Sequence, residues 1–116
     1  MKAIDLPVIH QRACQSKIKE VLNIQFRVHS SQKCAGGMDA QDTCEGDGGG
    51  PLVCELESNP DQFVQVGIIS ASLADTSCGQ SGVPGIYSSV PNGVCFIKSA
   101  IECRVMSNFF FLMNAC

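Results

Sequence analysis

Hydrophobic residues occur in short runs along this chain, and polar or glycine-rich segments separate the runs. Runs rich in β-branched and apolar residues predict strands, and they lie at residues 3–10, 34–38, 51–56, 63–71 and 83–90. Pro7 falls inside the first run and predicts an edge position or a bulge there, because proline has no N–H for a central ladder. The pattern is typical of a mostly β chain.

Two other segments repeat their apolar residues at helical spacing. Residues 11–23 predict a short amphipathic helix, with lysines on one face and four apolar residues on the other: Cys14, Ile18, Val21 and Leu22. Asn92 is a candidate N-cap for a second helix with three apolar residues on one face: Val94, Ile97 and Ile101. The apolar run at 109–113 is much shorter than the roughly 20 residues that cross a bilayer.

Composition narrows the class of protein. A chain of 116 residues with 45% hydrophobic and 16% charged residues is expected to form one globular domain. The net charge of −3 leaves no basic stripe, so neither nucleic acid nor an anionic membrane surface is an expected partner. No cofactor and no metal are expected, and the glycine-rich segment lacks the spaced acidic ligands of a calcium loop.

Eight cysteines are a high density for this length, and none forms a Cys-x-x-Cys pair. Oxidised pairs in a secreted protein are therefore expected, and the sequence alone does not choose among the many possible pairings. The first residues are interrupted by Asp5 and Pro7 and do not form a signal peptide. The cysteines indicate secretion, but no signal peptide is visible. Both observations are explained if the chain is the end of a longer secreted precursor.

The most unusual segment runs from Asp42 to Cys54. Four glycines occupy five positions, interrupted only by Asp47 and closed by Pro51. Such a run cannot continue a helix or a strand without a large entropic cost, and it predicts a sharp, amide-rich loop before a short strand. An ordinary turn is the alternative for a glycine cluster by itself. No Gly-Lys-Ser/Thr follows, so it is not a Walker loop.

The segment resembles the nucleophile region of chymotrypsin-like serine proteases, whose signature is Gly-Asp-Ser-Gly-Gly-Pro-Leu, with Gly48 at the serine position. Further matching pieces occur in family order: Cys34-Ala35-Gly36-Gly37, Val66-Gly67-Ile68-Ile69-Ser70, Cys78-Gly79 and Val83-Pro84-Gly85-Ile86-Tyr87. The glycine at the nucleophile position is similar to that of arthropod clip-domain serine protease homologues, including masquerade-like proteins and non-catalytic prophenoloxidase-activating factors.

The resemblance implies an all-β fold, the C-terminal portion of the second six-stranded Greek-key barrel with a short connecting helix and a C-terminal helix. It implies a partial trypsin-like domain at residues 1–103, and leaves 104–116 as an unmatched apolar tail. It also implies the disulfides Cys14–Cys34 and Cys44–Cys78. Cys54, Cys95, Cys103 and Cys116 are left without an assigned partner.

For the site, the resemblance implies a degenerate nucleophile position at Gly48 and no catalysis, since the family's histidine and aspartate segments have no counterpart here. The amides of Gly46 and Gly48 correspond to the oxyanion hole, which needs no side chain. Residues of the primary specificity pocket correspond to Asp42, Ser70, Ser72 and Gly85. Ala71 and Ser72 depart from the Ser-Trp-Gly of active members, which makes substrate-like binding doubtful.

The function that the resemblance implies is that of a secreted, non-catalytic regulator or cofactor in a proteolytic cascade of innate immunity, such as prophenoloxidase activation. Its expected partners are proteins of that cascade, including prophenoloxidase or an activating protease. Two alternatives remain open: a serine-type endopeptidase, if Gly48 is a sequence error, and a truncated remnant without function.

Overall fold

The computed structural model describes residues 2–38, 41–73 and 78–102. In these ranges the chain forms an antiparallel sheet of five strands with two α-helices. The elements, in order, are β1 Val8–Ile9, α1 Gln11–Leu22, β2 Gln32–Gly36, β3 Pro51–Leu56, β4 Asn59–Ala71, β5 Pro84–Ser89, a 3-10 turn Pro91–Gly93 and α2 Val94–Glu102. The expected mostly β fold with a connecting helix and a terminal helix is confirmed.

The strand order in the sheet differs from the order along the chain. It is β1-β2-β5-β4-β3, so the last strand lies at the centre, between β2 and β4. In the register of β2 and β5, Ala35 lies opposite Gly85 and Gly36 lies opposite Pro84. This pairing brings the end of β2, and the loop that follows it, next to the start of β5.

The core lies where α1 packs against β2 and β5. Cys14 and Ile18 of α1 are fully buried, and they pack with Val28, Cys34 and Ile86. The two helix residues are four positions apart and therefore share one face. A disulfide joins Cys14 to Cys34 and fixes the helix to β2 at this point.

The first strand is much shorter than expected. The run at 3–10 forms only the two-residue strand Val8–Ile9, which pairs with Ala35 and Cys34. Pro7 has no N–H to donate, and its carbonyl oxygen accepts the amide of Gly36 at 3.0 Å. The ladder therefore stops at the proline.

The prediction that Asn92 caps the second helix is wrong. Asn92 lies inside the 3-10 turn that Pro91 begins, not before a helix. Its Oδ1 accepts a hydrogen bond from Ser89 Oγ at 2.7 Å, so the side chain points back toward β5. The apolar residues at the predicted helical spacing do lie in α2, of which Ile101 is 72% exposed.

The fourth strand is longer than the predicted 63–71. It begins at Asn59 and forms a hairpin with β3, in which Leu56 lies opposite Asn59. Residues 59–62 were not predicted as strand because their composition, Asn-Pro-Asp-Gln, is typical of a turn. Asn59 pairs with Leu56, and the register is irregular between this pair and the next one, Glu55 with Phe63.

Candidate functional site

The glycine loop between β2 and β3 consists of two consecutive turns. The amide of Asp47 donates to the carbonyl oxygen of Cys44 at 3.0 Å, and the amide of Gly50 donates to that of Asp47 at 2.9 Å. The third residue of each turn, Gly46 and Gly49, has a positive φ of 96° and 85°. Type II turns need glycine at this place, since a Cβ would clash there. Two of the four glycines are thus required by the backbone.

The loop is fixed to β4 at its end. The amide of Gly49 donates to Ile69 O, and the amide of Ile69 donates to Gly50 O, both at 2.9 Å. Gly50 is closely surrounded: a Cβ there would lie 2.9 Å from the carbonyl oxygen of Asp47 and 2.9 Å from Ile69 Cδ1. The position of the loop relative to the sheet is therefore set by contacts that only glycine permits.

Gly48, in contrast, is exposed and open. A Cβ built on Gly48 meets nothing within 4 Å, and its φ lies outside the left-handed region. Within the described ranges, neither its amide nor that of Gly46 donates a hydrogen bond to another group of the chain. The apex of the loop thus presents two exposed N–H donors and no side chain that could act as a nucleophile.

Asp47 is engaged inside its own loop. Its Oδ2 accepts the backbone amide of Cys44 at 2.8 Å, three residues earlier. A carboxylate that accepts a backbone amide in this way closes the turn as an Asx-type contact. Cys44 is also joined to Cys78 by a disulfide, so this end of the loop is fixed twice.

A half-buried carboxyl group, that of Asp42, lies just before the glycine loop. The amide of Thr43 donates to its Oδ1 at 2.7 Å, while Oδ2 is buried without a hydrogen-bond partner among the described residues. A Cβ built on Gly85 of β5 would lie 3.2 Å from Oδ1. A Cβ built on Gly36 of β2 would lie 3.7 Å from the same atom. The carboxyl thus lies in a space that two glycines leave open.

Tyr87 forms another side of this space. It is 1% exposed, and its hydroxyl group, 3.4 Å from the Cβ position on Gly85, is buried without a hydrogen-bond partner in the described ranges. Gly85 and Tyr87 are two positions apart in β5 and therefore face the same side of the sheet. The buried Asp42 Oδ2 and the Tyr87 hydroxyl are two polar atoms that native structures rarely leave unsatisfied. We refer to the closely packed group of Asp42, Gly36, Gly85 and Tyr87 as the polar pocket, by its correspondence to the specificity pocket that the resemblance implies.

Burial determines the acidity of both groups. The pKa of Asp42 is raised above its ordinary value of 3.8 by burial, which outweighs the hydrogen bonding to Thr43 and to the backbone of Gly79. The pKa of Tyr87 is raised above 10.0, mainly by burial and further by the carboxylates of Asp42 and Asp47. Burial thus disfavours the charged form of both side chains.

Comparisons of the sequence with known proteins show which family the chain matches. The sequence matches the family described as Trypsin over residues 1–97. The chain belongs to the trypsin family. It is 39% identical over 79% of its length to Phenoloxidase-activating factor 2 of Galleria mellonella. It is 43% identical over 88% of its length to Inactive CLIP domain-containing serine protease A8 of Anopheles gambiae. Protein masquerade of Drosophila melanogaster is 32% identical over 88% of the chain.

These relatives are much longer than this chain. It spans 30% of the Galleria mellonella protein, 27% of the Anopheles gambiae protein and 9% of masquerade. The assignment to the clip-domain and masquerade-like branch of the trypsin family is nevertheless confirmed by the names of these three relatives. The trypsin-family fold is confirmed as well, as a partial barrel with a C-terminal helix.

Gly46 and Gly48 lie in the glycine loop of this trypsin-family chain, and the other predicted site residues lie on or beside β4 and β5. Asp42 and Gly85 are together in the polar pocket. Ser70 lies at the irregularity between Ile69 and Ala71 of β4, Ser72 lies just beyond that strand, and both are exposed. The disulfides Cys14–Cys34 and Cys44–Cys78 that the resemblance implies are both present.

Sequence reasoning missed Tyr87 as a member of the pocket. The sequence does contain a signal for it. The run at 83–90 predicts a strand, and residues 85 and 87 of a strand face the same side of the sheet. Cys54 is half-buried on β3 and forms no disulfide with another cysteine of the described part. Cys103 and Cys116, together with the predicted tail 104–116, lie outside the described residues.

Other candidate chemistry is not found in the described part. Its residues contain no cluster of three or more potential metal ligands. No helix among them is long and apolar enough to cross a membrane. His10 caps α1, its Nδ1 accepting the amide of Arg12 at 3.4 Å, and His29 Nδ1 lies 2.8 Å from Ser31 Oγ. Neither histidine takes part in the glycine loop or the polar pocket.

Replacing Asp42 by asparagine is expected to flatten the dependence of stability on pH. The folded pKa of Asp42 lies above 3.8, so the folded state binds more protons than the unfolded state between the two values. Stability therefore falls as the pH rises through that window, and Asp42→Asn removes this loss. Urea unfolding at a series of pH values between 3 and 7 measures it.

The control for this experiment is Asp61→Asn, at an exposed position of β4. Its curve of unfolding free energy against pH should run parallel to that of the unmodified chain. Parallel curves for Asp42→Asn as well would show that the buried carboxyl does not have the raised pKa.

Proposed function

We propose that this chain is a non-catalytic member of the trypsin family that acts by binding, as a regulator in a secreted proteolytic cascade. The observation that carries the proposal is Gly48 at the nucleophile position. The position is exposed and has room for a side chain, yet it has none. Acyl transfer of the trypsin type needs a hydroxyl at the nucleophile position, and Gly48 supplies none.

The loop retains what binding requires. The free amides of Gly46 and Gly48 are an oxyanion-hole-like pair of donors, and backbone donors survive the loss of a side chain. The polar pocket retains an acidic group, Asp42, beside Gly85. Ser70, Ala71 and Ser72 replace the wall found in active relatives, which argues for a partner recognised differently from a cleaved substrate.

The proposed setting comes from the relatives. One is named a phenoloxidase-activating factor and another an inactive CLIP domain-containing serine protease. By similarity, the partners of this chain would be proteins of a prophenoloxidase-activating cascade, such as prophenoloxidase or an activating protease. The place of action would be extracellular, which suits the two disulfides. We assign residues 1–103 to the trypsin-like domain and leave 104–116 outside it.

The purified chain is expected to hydrolyse an arginyl ester no faster than buffer does, and to remain unlabelled by a fluorescent phosphonate that reacts with activated serines. The physical reason is that Gly48 offers no atom to form the acyl bond. Hydrolysis is followed by absorbance, and labelling by gel fluorescence.

Gly48→Ala and Asp42→Asn, purified in the same way, are the matched controls, because a contaminating protease would appear equally in all three samples. Hydrolysis by the unmodified chain that exceeds both controls and is blocked by the phosphonate would establish the alternative, a serine-type endopeptidase.

A further inference from the structure

A groove of about 510 Å³ lies beside α1, between the helix and the segment that follows it, next to the face that carries the core residues. It is separate from the glycine loop and from the polar pocket, since it contains none of their residues. Its lining consists of Arg12, Gln15, Ser16, Lys19, Gln25, Phe26 and Arg27. The volume lies in the range typical of ligand sites, about 300–1,000 Å³.

The helix contributes one continuous stripe to this groove. Arg12, Ser16 and Lys19 are spaced by four and three residues and therefore share a face. Cys14 and Ile18 occupy a neighbouring face and are fully buried. The stripe is thus held in a fixed orientation while its own side chains are exposed.

The second wall is formed by the chain turning back at the end of α1. Asn23 ends the helix with a left-handed φ of 54°, and its amide donates to Lys19 O. Farther on, the amide of Val28 donates to Gln15 Oε1 at 2.8 Å. This bond ties the returning segment to Gln15, one of the helix residues that line the groove. The walls of the groove are therefore connected by the fold itself.

The charge of the groove is uniform. Arg12, Lys19 and Arg27 are all cationic, no carboxylate lines the groove, and none of the three forms an ion pair with another described residue. The chain as a whole has a net charge of −3. Glu20 and Lys17 are the other charged residues in the middle of α1, and neither contributes to the lining. Three uncompensated cations around one groove raise its potential and attract an anion.

We propose that this groove binds an acidic peptide segment of a partner protein. Two of its three cations are arginines, whose planar donors suit bidentate recognition of carboxylates. Phe26 is partly buried and offers an apolar surface between the cations. The carboxamides of Gln15 and Gln25 can bond to peptide groups. This combination of charge, aromatic surface and amides matches a peptide with acidic and apolar side chains. The inference does not depend on the proposed function.

The test uses the full chain and a fluorescein-labelled peptide, Asp-Glu-Phe-Asp-Glu, with Asn-Gln-Phe-Asn-Gln as the neutral probe. Fluorescence anisotropy is expected to show binding of the acidic peptide, weaker at higher salt, and at least about tenfold weaker binding of the neutral one. Arg12→Gln and Arg27→Gln should each weaken binding about fivefold. Lys17→Gln, on the same helix but outside the groove, should leave it unchanged.

A second measurement uses only the unmodified chain, so changes in the folding of the variants do not affect it. In nuclear magnetic resonance spectra of the unmodified chain, the acidic peptide should shift the Val28 amide and the Gln15 side-chain amide. Signals of the glycine loop should stay in place. Binding that ignores both arginine substitutions, or shifts confined to other surfaces, would overturn the proposal. A heparin hexasaccharide that binds through the same arginines while the peptide does not would also overturn it, in favour of a sulfated glycan.

Discussion

Replacing Cys14 and Cys34 together with alanine is expected to lower the free energy of unfolding by about 3 kcal/mol or more. The disulfide closes a loop with a sequence separation of 20, and the chain-entropy relation gives about 3 kcal/mol for a loop of this size. Both cysteines are also buried in the core, 0% and 1% exposed, so removing the sulfur atoms leaves unfilled space as well. Equilibrium unfolding in urea measures the loss.

The matched control is Cys54→Ala, which removes a half-buried thiol that is not part of a disulfide. Its effect should stay under about 1 kcal/mol, because only one partly exposed sulfur atom is lost. If the double variant were no less stable than this control, the Cys14–Cys34 bond would not be what fixes α1 to the sheet.

Gly50→Ala is expected to destabilise the chain by about 2 kcal/mol, within the usual range for a side chain forced into a filled space. The added Cβ would lie 2.9 Å from Asp47 O, a backbone atom that both turns of the glycine loop hold in place. Ile69 Cδ1, also at 2.9 Å, can rotate away, but the carbonyl group cannot move without opening the turn. Thermal and urea unfolding measure the effect.

Gly48→Ala, two residues earlier, is the control in the same loop. Its Cβ meets nothing within 4 Å, so the change in unfolding free energy should stay within about 0.5 kcal/mol, as at other exposed positions. Equal effects of the two substitutions would contradict the assignment of Gly50 as the tightly packed glycine. The contrast also shows that serine is not excluded from position 48 by space.

The glycine loop was the part of the site best predicted from sequence, for a physical reason. Its turns depend on local contacts within a few residues, and glycine at defined places is a strong local signal. The disulfide pairing of the cysteines, unlike the turns of the glycine loop, is not determined by local contacts. It could not be derived from the residues and came only from the resemblance to a family, since distances between distant cysteines depend on the whole fold.

Three features of the structure differ from the sequence predictions, because they depend on contacts that the local pattern does not contain. The run at 3–10 forms only the two-residue strand Val8–Ile9, because β2 ends at Gly36, opposite Pro7. The sequence predicts Asn92 as a helix cap. Pro91 instead begins a 3-10 turn one residue earlier, and the side chain of Asn92 accepts a hydrogen bond from Ser89 Oγ. Tyr87 joins the polar pocket because β5 lies at the sheet centre, an arrangement set by pairing between distant strands. Local pattern does not encode such pairing.

The basic groove beside α1 shows how a sequence average can mislead. A net charge of −3 suggested that no basic surface exists. Arg12 and Lys19 are seven residues apart and meet on one face of the helix, while Arg27 joins them only because the chain reverses at Asn23. The uniform charge of the groove is therefore a product of the fold.

The measurement that tests the central claim most directly is a reconstituted activation of prophenoloxidase. Purified prophenoloxidase is incubated with an active phenoloxidase-activating protease, with and without this chain, and phenoloxidase activity is followed by absorbance. The chain should raise the activity formed in the presence of the protease and form none by itself, because it binds without cutting. No change in the presence of the protease would contradict a regulatory role and favour a remnant without function. Cleavage of prophenoloxidase by the chain alone would contradict the absence of catalysis.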